Sequence, residues 1–187
     1  MDFENRLRSS AKELTNVRAL TACAMLAAIA VVLNYVASIK INDYIKIGFG
    51  SIPNQLVDAL FGPVTGALFG GALDIIKFVL KPDGAFFPGY TLSAMLAAFI
   101  YGLFYYKRPI TILRVLIAKG IVTVLVNMLL NTYWSTFFGS VFTVIFPARA
   151  IKNLIMWPID SVVFFLVYTA LSRTGILKWT RKEEKTE

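Results

Sequence analysis

The sequence predicts an all-α integral membrane protein with six transmembrane helices and both termini on the cytoplasmic side. Three observations predict it. Hydrophobic residues make up 57% of the chain and charged residues only 16%, a balance foreign to soluble domains. The uncharged runs Ala19–Ile39, Ala85–Tyr106 and Gly120–Ala148 reach or exceed the roughly 20 residues that a spanning helix needs. They are continuously apolar rather than alternating, which argues against a β-barrel. Third, basic residues gather on one side of such a bundle. Arg6, Arg8, Lys12 and Arg18 precede the first span, and Lys107, Arg108 and Arg114 lie in a middle connection. Arg173, Lys178, Arg181, Lys182 and Lys185 follow the last span. That is the positive-inside pattern.

The same distribution explains the net charge of +8 as topology, with no nucleic-acid partner implied. One cysteine, Cys23, and no histidine leave no basis for a disulfide framework, a zinc site or histidine catalysis. No metal or cofactor is expected. The first apolar run is long and far from Met1, so it reads as a retained span rather than a cleaved signal.

All 187 residues read as a single membrane domain. Residues 1–16 place Phe3, Leu7, Ala11 and Leu14 on one helical face, which suits an amphipathic helix on the inner surface; an unstructured leader is the other reading. Helix 1, about Val17–Ala37, is rich in alanine, and Ala24 and Ala28 at four-residue spacing permit close approach of another helix. Residues 38–50 form an external loop with a short β-like piece, long enough to act as a lid. A short helix 2, Ile52–Phe61, meets an inner turn at Gly62-Pro63, and helix 3 follows over Val64–Leu80. Gly62, Gly66 and Gly70 repeat at the spacing of close helix crossings. The loop KPDGAFFPGYT carries Phe86, Phe87 and Tyr90 at the mouth of helix 4, Leu92–Tyr106. Helix 5 covers Ile110–Trp134, and helix 6 covers Val144–Leu171 with an offset near Pro158. Residues 173–187 form a solvated cytoplasmic tail.

Charges inside apolar runs are costly and mark function by default. The stretch Val126–Asn153 places Asn131, Trp134, Arg149 and Lys152 around one outer turn. Arg149 and Lys152, three apart, share a helical face. The guanidinium suits a carboxylate, Asn131 both donates and accepts, and Trp134 can stack on a flat ring. Loop residues Asp43 and Asp83 are the alternative partners for the two cations. Asp74 and Lys119 fall at similar depth, so they either pair with each other or leave Asp74 facing the ligand. Asp58 and Asp160 should lie nearer the inner surface, paired with basic residues there or shaping a partner contact. A ligand with a flat heteroaromatic end and a carboxylate end fits this set.

Six segments in order carry a family resemblance: Ala27–Leu33, Ile45–Leu56, Leu60–Asp74, Phe86–Ala94, Asn131–Trp134 and Pro147–Asn153. With them the chain resembles a folate-specific S component of the energy-coupling factor (ECF) vitamin transporters, over Thr15 to about Ser172. The resemblance implies a six-helix ECF S-component-like bundle that binds folate near the outer surface. It also implies assembly with a membrane coupling protein (the T component) and two ATP-binding-cassette ATPases in the bacterial cytoplasmic membrane. The implied ligand contacts are Arg149, Lys152, Asn131, Trp134, Asp74, Phe86, Tyr90 and Lys46, and the implied docking face is Ala24 and Ala28. Cys23 and Met25 interrupt the alanine row and leave the phase of that face open. Alternatives are the same architecture for pantothenate, riboflavin or thiamine, an integral-membrane lipid-modifying enzyme, and a purely structural bundle. The enzyme lacks support, because no histidine and no acidic cluster is present. No G-x-x-x-x-G-K-[ST] loop occurs, so energy must come from a partner.

Overall fold

The computed structural model describes residues 3–36, 38–42, 45–48, 50–80, 82, 86–137, 139 and 142–174. The solvated tail expected over 173–187 lies outside the described residues beyond residue 174. Helix α1 spans Phe3–Glu13 and α2 spans Val17–Val36. A two-stranded antiparallel hairpin follows, β1 (Ser38–Asn42) and β2 (Ile45–Gly48), with Lys40 opposite Lys46. Then come α3 (Ile52–Leu80), α4 (Pro88–Tyr105), α5 (Ile112–Val122), a π-helical segment (Thr123–Leu130), α6 (Asn131–Thr136) and α7 (Phe142–Arg173).

Among the described residues, four stretches are long and apolar enough to cross a membrane: Val17–Val36, Ile52–Leu80, Ile112–Thr136 and Arg149–Arg173. The second is two helices, not one. Gly62 breaks α3 with φ 86° and ψ −174°, a backbone conformation open to glycine and hostile to a side chain. A Cβ built on Gly66 would stand 3.3 Å from the Cα of Asp58, although eight residues of straight helix span about 12 Å. The chain therefore folds back at Gly62-Pro63. With its two halves counted apart, α2, α3, α4, the continuous α5–α6 stretch and α7 give the expected six helices.

The repeated glycines serve three different contacts. Gly62 faces Ser10 and Tyr106, Gly66 faces Asp58, and Gly70 lies against Ala94 and Ala98 of α4. Across from the turn, Gly102 touches the backbone of Pro63, so α3 and α4 meet with no side chain between them.

On α2, Ala19, Cys23 and Ala30 are buried, with Cys23 facing Val57 and Phe61 of α3. Ala24, Met25, Ala28 and Ile29 are exposed on the opposite face. Met25 shares the outward face with the two alanines, and Cys23 points inward.

The N-terminal segment is a docked helix. Arg6, 6% exposed, donates 2.8 Å bonds to the carbonyls of Leu103 and Tyr106 at the end of α4, where a helix has no further amides of its own to offer. Ser10 Oγ donates to the carbonyl of Phe61 at 2.7 Å and accepts from the amides of Val64 and Thr65. Thr65 Oγ1 returns a 2.6 Å bond to the Ser10 carbonyl. Helix α1 thus clasps both inner turns. Leaving buried backbone groups unpaired costs about 1–3 kcal/mol, so Ser10→Ala should lower the unfolding midpoint in detergent by several degrees. An unchanged midpoint would show that water replaces the hydroxyl.

Helix α4 begins at Pro88, earlier than the Leu92 expected, because proline at the first helical position has no amide to satisfy. Helix α7 runs through Pro147 and Pro158 as one helix.

Candidate ligand-binding site

One cavity of about 410 Å³ lies among α3, α4, the α5–α6 stretch and α7. Each wall contributes a helical stripe. Ser51, Asn54, Gln55 and Asp58 come from the first half of α3 with its preceding turn. Tyr90, Ala94, Ala97, Ala98 and Tyr101 come from α4. Lys119, Val122, Thr123, Asn127 and Asn131 form the third wall, and Arg149, Lys152, Asn153, Met156, Trp157 and Asp160 the fourth. The alanines of α4 make the room, since their small side chains leave the space that larger residues would fill.

The third wall depends on the π-helical segment. Lys119, Thr123, Asn127 and Asn131 recur every four residues, and in a pure α-helix such a row drifts around the axis. Within Thr123–Leu130 bonding is i→i+5, as in Asn131 N–H to the Val126 carbonyl. The wider turn reverses the drift and keeps the row on the cavity. π-Helical insertions are frequent at functional sites.

Depth follows from chain order. Tyr90, Asn131 and Arg149 mark the outer end, and Asp58, Tyr101, Lys119 and Asp160 the inner end. Arg149 to Asp160 spans eleven residues, about 16 Å of helix. Asp160 is within electrostatic reach of both Lys119 and Lys152, and Lys152 of Arg149. Three cations and two carboxylates therefore line one cavity, with the cations Arg149 and Lys152 toward its outer half.

Of the residues expected to meet a ligand, Arg149, Lys152, Asn131 and Tyr90 come together here. Trp134 does not line the cavity. Its indole N–H donates to Ser93 Oγ at 3.0 Å, and its ring packs 5.5 Å from Phe87. Asp74 is also elsewhere, accepting a 2.8 Å bond from Thr91. The Asp74–Lys119 pair is thus replaced by Asp74–Thr91, with Lys119 3% exposed at the cavity. Phe86 packs on Phe78 at 5.1 Å and is 45% exposed. Lys46 sits on β2, and its side chain lies outside the described residues, as do Asp43 and Asp83. Asp58 and Asp160 belong to the cavity rather than to inner-surface pairs.

The flat aromatic wall comes from residues not singled out by sequence. Trp157 donates its indole N–H to the Leu116 carbonyl at 2.9 Å, and its ring rests on Gly120, where a Cβ would stand 3.1 Å away. Its orientation is thereby fixed before any ligand arrives. Tyr101 stacks on Tyr105, with centroids 5.6 Å apart.

The family described as the substrate-specific component of ECF transporters matches residues 18–168. The chain belongs to that family. Among its relatives, a folate transporter FolT of Clostridium novyi (strain NT) is 39% identical over 142 residues, covering 75% of this S component and 83% of that protein. A folate transporter FolT of Leuconostoc mesenteroides subsp. mesenteroides is 32% identical over 173 residues, covering 88% and 92% respectively. The crystal structure of FolT bound with folic acid superposes with a TM-score of 0.75 at 32% identity, over 81% of this S component and 93% of that chain. The S component of a bacterial ECF transporter shares the fold, with a TM-score of 0.60 at 23% identity over 84% and 96%.

Proposed function

We propose that this S component binds folate in the cavity and is the substrate-binding subunit of an ATP-driven importer in the bacterial cytoplasmic membrane. The observation that carries the reading is the pairing, in one cavity, of Arg149 and Lys152 with the fixed Trp157 ring. Folate offers both complements, a glutamate with two carboxylates and a flat pteridine. Two relatives named as folate transporters support the same ligand. Arg149 and Lys152 take the carboxylates, while Asn131 and Tyr90 hydrogen-bond the ligand's middle or outer part. Trp134, Asp74 and Phe86 act at one remove: Trp134 anchors the start of α4 that presents Tyr90, and Asp74 anchors Thr91 beside it. Lys46 on the hairpin contributes from the mouth.

The exposed Ala24 and Ala28 form the docking face for a membrane coupling protein, because a surface of small residues lets a partner helix approach closely. Two ATP-binding-cassette ATPases complete the assembly and supply the energy. Riboflavin would leave the cationic pair without carboxylates, and pantothenate would leave Trp157 without a flat partner.

Binding is tested on the purified chain in detergent, with folic acid, riboflavin, thiamine and pantothenate, read by tryptophan fluorescence. Folic acid alone should quench. The quenching should disappear in Trp157→Phe and persist in Trp134→Phe. Tight binding of another of the four, with none of folic acid, would overturn the folate reading.

A further inference from the structure

We infer that Arg108 and Arg114, with the buried charge of Arg6 behind them, hold the phosphate of an anionic phospholipid in the inner leaflet. The inference does not depend on which ligand fills the cavity.

Three arginines converge on one short stretch of backbone between α4 and α5. Arg6 of α1 donates to the Tyr106 carbonyl at 2.8 Å, and Arg114 of α5 donates to the Pro109 carbonyl. Two side chains thus clip the same turn from two helices, and Arg108 lies between the two carbonyls they hold. Its amide bonds the Tyr105 carbonyl at 3.3 Å, and Lys107 before it takes φ 53°. The turn is therefore tight, and the Arg108 side chain stands exposed at it.

These cations lack a counter-charge. The bonds of Arg6 and Arg114 go to carbonyls, which carry no net charge. Among the described residues none of the three arginines meets a carboxylate at ion-pair distance, whereas the exposed Arg8 of α1 pairs with Glu4 at 2.7 Å. Arg6 is also removed from water, and a charge held that way is costly without a compensating one. Burial, and after it the like charge of Arg108 with that of Arg114, lowers the pKa of the Arg6 guanidinium. An anion at the turn relieves the repulsion among all three, and arginine is the residue best shaped for phosphate.

The surface beside the turn decides which anion. Leu113 and Ile117, at i and i+4 of α5, are 65% and 47% exposed, and Val124, two turns further on, is 51% exposed. They share a face that starts beside Arg114 and runs away from the inner surface. A free phosphate would use the arginines alone; a phosphate ester with acyl chains uses both surfaces. The chain's own residues 175–187 offer Glu183, Glu184 and Glu187, but Lys178, Arg181, Lys182 and Lys185 among them cancel those charges. Anionic lipids of the cytoplasmic leaflet attract basic segments at this depth.

The test is native mass spectrometry of the full chain in detergent, titrated with phosphatidylglycerol or with phosphatidylcholine of the same acyl chains. A melting midpoint without lipid accompanies each variant. One basic residue near an anionic lipid is worth about fivefold in affinity. The wild type should bind its first phosphatidylglycerol about fivefold or more tighter than phosphatidylcholine. Arg108→Gln should lose about fivefold for phosphatidylglycerol alone, with an unchanged midpoint, because the side chain is exposed. Arg8→Gln removes the same charge from the exposed side of α1 and should keep the preference. Equal affinity of the wild type for the two lipids would overturn the inference, as would no loss in Arg108→Gln or equal losses in both variants. Displacement of the lipid by an equal concentration of glycerol 3-phosphate would overturn it too, by assigning the arginines to a free phosphate.

Discussion

Arg149→Ala should weaken folate binding by about 100-fold. Truncating one partner of a desolvated charge pair costs about 2–5 kcal/mol, and each 1.4 kcal/mol is roughly a factor of ten. Arg149 is half-buried at the outer end of the cavity, which places its loss in the lower half of that range, about 2.8 kcal/mol. Arg149→Lys keeps the charge but not the planar fork that bonds both carboxylate oxygens, so its loss should be nearer tenfold. Lys152→Ala should cost less than Arg149→Ala, because Asp160 already shares its charge. Isothermal titration with folic acid distinguishes these cases. Equal affinities for the wild type and Arg149→Ala would move the carboxylates away from α7.

Gly102→Ala should be the most destabilising single methyl in the chain, with a loss exceeding about 3 kcal/mol. Overpacking usually costs about 1–3 kcal/mol when side chains can shift. Here the added carbon would meet backbone, with the Pro63 nitrogen at 2.6 Å and the Gly62 carbonyl carbon at 2.9 Å. Neither can move without opening the turn, which Ser10 and Thr65 hold from the other side. The expected result is protein that expresses poorly or melts well below wild type. A variant with a normal midpoint would show that α4 slides along α3 freely. Gly120→Ala makes a contrast, since its nearest neighbour is the Trp157 ring at 3.1 Å, and it should impair the binding site more than the fold.

The helices were legible because their signals are local. Apolar length gave the spans, Gly62-Pro63 gave the inner turn, and the basic residues gave sidedness. Arg149 and Lys152 were legible for a similar reason, since a cation within an apolar run has few places to go. Trp134 misled because it stands three residues beyond Asn131 on α6, roughly 60° around the helix, which turns its indole onto Ser93 while Asn131 stays on the cavity. Nothing in TVLVNMLL announces the π-helix that brings Asn127 and Asn131 to that wall. Asp74 misled because depth alone cannot tell which side of a helix faces the cavity, and Thr91 was the nearer partner. Trp157 read only as a neighbour of Pro158. Asn54, Gln55 and Asp58 did carry a signal: three polar residues at i, i+1 and i+4 in a ten-residue apolar helix are too many for lipid and too close together for chance packing.

The clasp of α1 has a consequence for how the gene tolerates change. Arg6 and Ser10 bind carbonyls and amides, atoms that every residue type except proline supplies. Replacing Leu103, Tyr106, Phe61 or Val64 alters side chains and leaves those bonds available. Replacing Arg6 or Ser10 removes them outright. Mutational sensitivity should therefore be lopsided for these bonds, with the Thr65 hydroxyl that donates to the Ser10 carbonyl as the exception on the turn side. Deep scanning of the first thirteen codons would expose two intolerant positions, while Leu103 and Val64, bonded through their backbones, accept more letters.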